Sequence, residues 1–335
     1  MKRKPIAPLV VGRGMAGQAI LQSLAIISQG DPELDLLPAR ILPRENPLRS
    51  ALMGAAENVL FLANPSGLHA QWISEGALAG FSAILTDKPV CVRKEELASL
   101  QEVELPVSVF HGYRVLWGTR TIRKMIEAGD LGEVFCFESR YWQSSSAQQA
   151  LTGASGKRQW KNDPKLNGPW DTLTDLGSHV ADICLYLMSD RPIESRCWVT
   201  YRNSEAPHRD THVHLNLKFP GNRRAVASIS KTVHGATNDL EYTVLGTRGT
   251  ATWKFLQPDE ILFGSGNRTS VIRREAPNVS SSAVPFHGYG WLEGYIEITR
   301  QTLRRLSGVD SVPVPTLKES LAAMDALLNA ALERE

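Results

Sequence analysis

The 335-residue chain is 42% hydrophobic and 21% charged, the composition of a folded globular protein long enough for two cores rather than of a disordered or fibrous one. Its 37 Lys and Arg nearly balance 35 Asp and Glu, and a formal net charge of +2 is too small to argue for nucleic acid or an anionic membrane surface as a partner. No apolar run approaches the ~20 residues that span a bilayer, so no membrane partner is expected.

Met1-Lys2-Arg3-Lys4 runs directly into an apolar strand, 8–11, without the separate apolar core and cleavage site of a secretory signal. The strand ends in Gly12-Arg13-Gly14-Met15-Ala16-Gly17, a G-x-G-x-x-G that opens an apolar helix over 14–28. Each glycine has a separate task. Gly12 permits a tight strand-to-helix turn, Gly14 lets a pyrophosphate approach bare backbone, and Gly17 lets the helix lie close on the strand. The anion then sits on the free N–H groups at the positive end of the helix. Further strands are expected at 39–42, 58–63, 81–86 and 106–111, with helices at 67–79 and 93–100. This alternation predicts an α/β, doubly wound parallel sheet of Rossmann type over residues 1–115. The stretch between the second strand and residue 58 is too short for a full helix and strand, so the adenine-side wall is expected to be compressed.

Beyond Arg114 the texture changes. A helix is expected over 118–128, stopped by Gly129-Asp130-Leu131-Gly132, then a strand over 134–141 and a polar loop over 144–167. A helix over 174–188 precedes strands at 195–201, 211–219, 225–232, 241–246 and 250–255, with Gly246-Thr247-Arg248-Gly249 as a hairpin turn. Helices over 290–305 and 317–332 close the chain. Residues 116–335 therefore read as an α+β domain with a large open, mostly antiparallel sheet, the final helix being a candidate to return to the first domain. An open sheet face needs cover, and a second subunit is a reasonable candidate for it.

Three pieces carry chemistry. Ala63-Asn64-Pro65 and His69 follow the third strand, at the carboxyl edge where open α/β sheets bind ligands. Asp87-Lys88-Pro89 ends the next strand; Lys88 is placed to hold a substrate hydroxyl near a nicotinamide, or is a surface lysine in a turn. Asp175 and His179 stand four apart and share a helix face, which suits a histidine that moves a proton with a carboxylate to orient it. The competing reading is a capping aspartate beside a packed histidine. Tyr113, Arg114, Trp160 and Trp170 are expected to line the substrate pocket, with Arg158 and Lys161 near an acidic substituent; the tryptophans equally suit domain packing. His212 and His214 share a strand face, but no third ligand is spaced to join them, so no metal is expected. The four cysteines, Cys91, Cys136, Cys184 and Cys197, form no C-x-x-C pair and read as free thiols in a reducing cytoplasm.

The order of these pieces, a glycine phosphate loop, Ala-Asn-Pro…His, Asp-Lys-Pro and Asp-x-x-x-His, resembles the Gfo/Idh/MocA family of oxidoreductases over nearly the whole chain. The stretches 126–134 and 245–251 look like the family's helix entering its second sheet and its later hairpin. The resemblance implies binding of NAD or NADP by the first domain, through Gly12 to Gly17, Ala63 to Pro65, His69, Asp87 and Lys88. It also implies a sugar, polyol or related small-molecule substrate, with catalysis by Lys88, Asp175 and His179. A homodimer or homotetramer through the second-domain sheet is implied as well. Asp87 departs from the family's usual glutamate by one methylene. After the second strand, Arg44 would fork onto a 2′-phosphate and favour NADP, whereas Glu45 would favour NAD; NADP is preferred. The mechanism expected is hydride exchange with the nicotinamide, proton transfer by His179 and charge stabilisation by Lys88, with the lysine and the imidazole meeting at one dihydropyridine ring. The rival readings are an NAD-dependent glycosidase of the same family and a sensor or scaffold without turnover.

Overall fold

The computed structural model describes residues 4–42, 48–152, 161, 163–200, 209–275 and 290–332. The chain divides into two compact units, Met1–Gly112 with Leu292–Leu321, and Tyr113–Trp291 with Ala322–Glu335.

In the first unit the order is β1 (Ile6–Val11), α1 (Met15–Gly30), β2 (Arg40–Leu42), β3 (Glu57–Leu62), α2 (His69–Ala79), β4 (Ala83–Thr86), α3 (Glu95–Gln101) and β5 (Val107–Val109). All pairings are parallel, in the order β2-β1-β3-β4-β5. β1 is buried at every position and β3 at all but its first, as expected of strands covered on both faces, which read as apolar runs rather than alternations. β1 lies between β2 and β3, so the strand order reverses beside it and the crevice at its carboxyl end becomes the natural ligand position. Between β2 and β3 the described residues contain only the 3-10 turn Leu48–Ala51.

The second unit opens with α4 (Gly112–Val115) and α5 (Trp117–Ala128). There follow β6 (Val134–Trp142), α6 (Ser145–Thr152), α7 (Pro164–Asn167), α8 (Thr172–Asp175), α9 (Gly177–Met188), β7 (Glu194–Thr200), β8 (His212–Lys218), β9 (Arg224–Ser230), β10 (Asp239–Gly246), β11 (Thr250–Lys254), β12 (Gln257–Ser265) and β13 (Arg268–Arg273). The eight strands run in the order β13-β12-β11-β10-β6-β9-β8-β7, and only the β6–β9 pair is parallel. Alternation buries one face: Val213, Leu215 and Leu217 on β8, Ala225, Ala227 and Ile229 on β9, and Leu240, Tyr242 and Val244 on β10. α9 packs on β6 and β9 from that side. The last two strands are absent from the sequence expectation. Their Pro258, paired acids and Gly264 resemble turn residues, and as the outer strands of an open sheet they bury few side chains to mark a period. The expected polar loop holds two short helices, α6 and α7, and the helix expected over 174–188 is divided by a turn residue at Leu176.

α10 (Trp291–Leu306) and α11 (Leu317–Leu332) close the chain. α10 joins the first unit: Tyr295 stacks on Phe110 with centroids 4.6 Å apart, and Arg304 holds Asp31 at 2.9 Å and Glu33 at 2.7 Å. The later part of α11 belongs to the second unit, where Leu327 lies over Gly177. Among the described residues no helix is long and apolar enough to cross a membrane.

Candidate active site

The β1–α1 turn is shaped by what its glycines exclude. Gly12 has φ +110°, and a Cβ there would fall 2.2 Å from the Ala63 carbonyl oxygen, so the turn presses on the end of β3 as only glycine allows. A Cβ on Gly17 would fall 2.4 Å from the Gly12 carbonyl oxygen. Gly14 is different: a Cβ there would meet nothing within 4 Å. It caps α1 in an ordinary extended conformation, and the first helical turn carries no acid. Its bare backbone and the leading N–H groups of α1 therefore stand open with a favourable dipole for an anion. Arg13, Gly14 and Met15 are exposed, Ala16 is half-buried and Gly17 is buried. These residues fit a dinucleotide phosphate, because close packing claims two of the three glycines and leaves the third free.

The ends of β3 and β4 meet through one side chain. His69, buried at the start of α2, places Nδ1 2.7 Å from the Pro89 carbonyl and Nε2 2.9 Å from the Asn64 carbonyl. Burial lowers its pKa, while Asp87 and the two carbonyls pull the other way. Asp87 accepts from the Tyr295 hydroxyl at 3.1 Å; burial raises its pKa, against the opposing charges of Lys88 and His69. Both polar atoms of the Asn64 amide are out of solvent without a hydrogen-bond partner in the protein, a buried pair suited to a ligand's donor and acceptor. Lys88 is half-buried, between Asp87 and Pro89.

In the second unit, α8 and α9 set Asp171, Asp175 and His179 at successive turns. Asp210 anchors this run, its carboxylate accepting from the backbone N–H groups of Asp171 and Leu173 at 2.5 and 2.6 Å. Burial raises the Asp210 pKa and these two bonds oppose it. Lys231 Nζ lies 2.8 Å from Asp171 Oδ1 and 2.8 Å from Asp175 Oδ2, with its side chain 4% exposed. Burial alone would lower its pKa, but the two carboxylates win and hold it raised. Lys161 adds a contact to Asp175 Oδ2 at 3.5 Å. The His179 ring packs against Tyr113 and Tyr141, with centroids 4.7 and 6.1 Å away. This arrangement sets a half-buried imidazole one turn from a carboxylate that is itself held by an ammonium, residue types suited to moving a proton.

Residues 119–252 match the family model described as the GFO/IDH/MocA C-terminal domain. Over this stretch the chain is similar to the GFO/IDH/MocA C-terminal domain. A levoglucosan dehydrogenase from Pseudarthrobacter phenanthrenivorans is 24% identical over 264 residues, 70% of this chain and 66% of the relative. The oxidoreductase YfiI of Bacillus subtilis is 22% identical over 211 residues, 61% of this chain and 53% of the relative. The matched stretch thus spans less than two thirds of either relative's length. In fold, the chain is similar to an inositol dehydrogenase homolog from Azotobacter vinelandii solved with NAD+ (TM-score 0.80, 18% identity, 98% of this chain and 96% of that one). It is also similar to a levoglucosan dehydrogenase solved with NADH and levoglucosan (TM-score 0.78, 19% identity, 98% of each chain).

Several residues expected to meet substrate have partners inside the fold. Tyr113 is buried; its hydroxyl is 2.9 Å from that of Tyr141 and accepts from Asn238 Nδ2 at 2.6 Å, so the ring, not the hydroxyl, faces His179. Arg114 forms a buried pair with Asp182 at 3.2 Å (side chains 6% and 1% exposed) and lies over the Tyr186 ring. Trp170 is buried, and its carbonyl accepts from Arg209 at 3.0 Å. Each was expected at the pocket because an aromatic or cation near a domain crossing looks the same in sequence whether it packs or binds. Arg44, Glu45, Arg158 and Trp160 lie outside the described residues. His212 and His214 meet Nε2 to Nε2 at 3.1 Å, and among the described residues no group of three or more possible ligands gathers around a metal position.

Asp171 and Lys231 were missed, although both left a signal. Asp171 stands four residues before Asp175, which stands four before His179, so one spacing runs through all three. Lys231 continues the inward phase of Ala225, Ala227 and Ile229, and a lysine at an inward position needs a buried acidic partner.

Proposed function

We propose that this protein is a nicotinamide-dependent oxidoreductase that moves a hydride between NAD(P) and a hydroxyl- or carbonyl-bearing carbon of a sugar, polyol or related small molecule. The observation that carries the reading is Asp175, held by Lys231 with His179 four residues on, in a chain that matches the GFO/IDH/MocA C-terminal domain over 119–252 and whose first unit offers an open glycine turn at a helix start. The backbone of Gly14 and the first turn of α1 hold the pyrophosphate, and Asn64, Asp87 and Lys88 serve the nicotinamide end. The cofactor, once bound, supplies the hydride acceptor or donor. Lys88 holds the reacting oxygen and stabilises negative charge as it develops there. His179 takes the hydroxyl proton at an imidazole nitrogen, or returns it in the reverse direction. Asp175 keeps the imidazole oriented and stabilises its charged form.

The substrate class is supported by the relatives that act on levoglucosan or are related to inositol dehydrogenase. Relatives solved with NAD+ and NADH support NAD as the dinucleotide, against the NADP preference that Arg44 suggests. Across the open sheet face, Trp198, Val226, Leu262 and Val271 are exposed apolar side chains in alternating register, which supports cover by a second copy of the chain. The test is a panel of polyols, inositols and anhydrosugars with NAD and NADP in parallel. Net formation of reduced cofactor with at least one substrate is expected. Cleavage of a glycoside without net reduced cofactor, or tight dinucleotide binding with no turnover on any alcohol or carbonyl, contradicts the reading.

A further inference from the structure

We propose that Lys231 is a positioning residue of the reaction: by bridging Asp171 and Asp175 it holds the Asp175 carboxylate ionised and in place beside His179. The inference rests on the oxidoreductase reading for its role in turnover, but the clamp is a property of the folded chain.

Three observations converge on it. First, the ammonium is equidistant from its two partners, at 2.8 Å each, and almost out of solvent. An ammonium so placed persists only if the carboxylates are charged, because a neutral acid would leave it buried and unpaired. Second, Lys231 is anchored at both ends. Its N–H donates to the Thr211 carbonyl at 3.1 Å, and its carbonyl accepts from Ser146 and Ala147 at 2.9 and 3.3 Å, where α6 begins. The side chain therefore starts from fixed backbone and ends on two fixed acids. Third, the acids are anchored as well. The N–H of Asp171 is taken by Asp210, and the N–H of Asp175 donates to the Asp171 carbonyl at 3.0 Å. Two carboxylates one helical turn apart repel, and Lys231 offsets that repulsion.

The charged surroundings set the sign. Facing Asp175 are Lys231 from beyond β9, Asp171 one turn back, Lys161, and His179 one turn on. Tyr113 and Tyr141 add neutral phenols, both with pKa values raised chiefly by burial and further by Asp175 itself. Behind Asp171 stand Arg209 at 3.9 Å and Asp210. Removing Lys231 deletes the cation nearest Asp175 and leaves the Asp171 charge one turn back offset only by the more distant Arg209, so the Asp175 pKa rises. Removing the charge of Asp171 while keeping Lys231 gives Asp175 the ammonium to itself, so its pKa falls.

The experiment is a carboxyl NMR titration of the unliganded protein, with the Asp175 signal assigned by its loss in Asp175→Asn, alongside the pH profile of kcat/KM. Lys231→Met is expected to raise the Asp175 midpoint so that its proton affinity grows about tenfold or more, Asp171→Asn to lower the midpoint, and Lys231→Arg to keep it near wild type. The acid limb of kcat/KM is expected to follow in the same directions, with kcat affected more than KM. Should Lys231→Met not fold, Asp171→Asn and Lys231→Arg carry the test. An Asp175 midpoint unmoved in Lys231→Met or in Asp171→Asn overturns the clamp. Midpoints that move as expected in a protein with no dehydrogenase activity uphold the clamp and overturn the oxidoreductase reading instead.

Discussion

Tyr113 packs edge-on against His179, with ring centroids 4.7 Å apart and planes at 69°. The contact makes Tyr113 a wall for the imidazole, and burial pushes its phenol up to about 12. The unfolded phenol ionises near 10.0, so folding favours the protonated form. The resulting stability is intact below pH ~10 and is lost as pH rises through ~12, amounting to about 2–3 kcal/mol from Tyr113 alone. Urea unfolding between pH 8 and pH 12 should therefore show a falling free energy whose steepness lessens in Tyr113→Phe. An identical alkaline slope in wild type and Tyr113→Phe would refute the assignment.

Gly14 and Gly12 should separate binding from folding. Gly14→Ala puts a methyl group into open space at an ordinary φ, so the melting temperature should hold while dinucleotide affinity falls about tenfold, or about 1.4 kcal/mol. Gly12→Ala drives a methyl into the Ala63 carbonyl at φ +110° and should lower the yield of folded protein itself. Calorimetric titration with NAD alongside thermal melts reads both; equal effects of the two substitutions on affinity and stability would count against the phosphate seat.

The Arg114–Asp182 ion pair is buried inside the second unit and should matter to stability more than to substrate binding. Breaking a pair this buried by Arg114→Met should cost about 3–5 kcal/mol, because a buried carboxylate loses its nearest cation. In the surviving folded fraction KM for substrate should stay within about twofold of wild type, a free-energy change under about 0.5 kcal/mol. A large rise in KM with unchanged stability would restore Arg114 to the substrate pocket.

His69 joins the loops after β3 and β4, so its loss should reach the cofactor through Asn64 and Lys88. His69→Ala removes the ring that joins the Pro89 and Asn64 carbonyls and leaves the carbonyl facing its N–H without a donor, which should cost about 1–3 kcal/mol of stability. KM for NAD should rise more than KM for substrate. An unchanged KM for NAD in folded His69→Ala would show that the staple does not serve the dinucleotide.

The first sheet was legible because its buried parallel strands are unbroken apolar runs separated by glycine turns, and β1 with Gly12, Gly14 and Gly17 stands in the structure as read. The inner strands of the second sheet were legible for the opposite reason: one wet face imposes a clean alternation, as in β8. β12 and β13 were not, since outer strands with few buried side chains carry no period. At the site, spacing placed Asp175 and His179 one turn apart, because a helix converts sequence distance into space directly. Lys231, 56 residues from Asp175, reaches it only through sheet order and register, which a linear reading does not supply. Tyr113, Arg114 and Trp170 are buried in the structure, which residue type alone does not foretell.

The most direct test of the account is pre-steady-state reduction of cofactor by wild type and His179→Ala, with dinucleotide affinity measured on the same samples. With a substrate from the polyol and anhydrosugar panel, the rate of the hydride step should fall on the order of 10²–10⁴-fold in His179→Ala while cofactor affinity stays within about twofold. A hydride step in His179→Ala as fast as in wild type, with cofactor bound equally well, would contradict the role assigned to His179 and the reaction built on it.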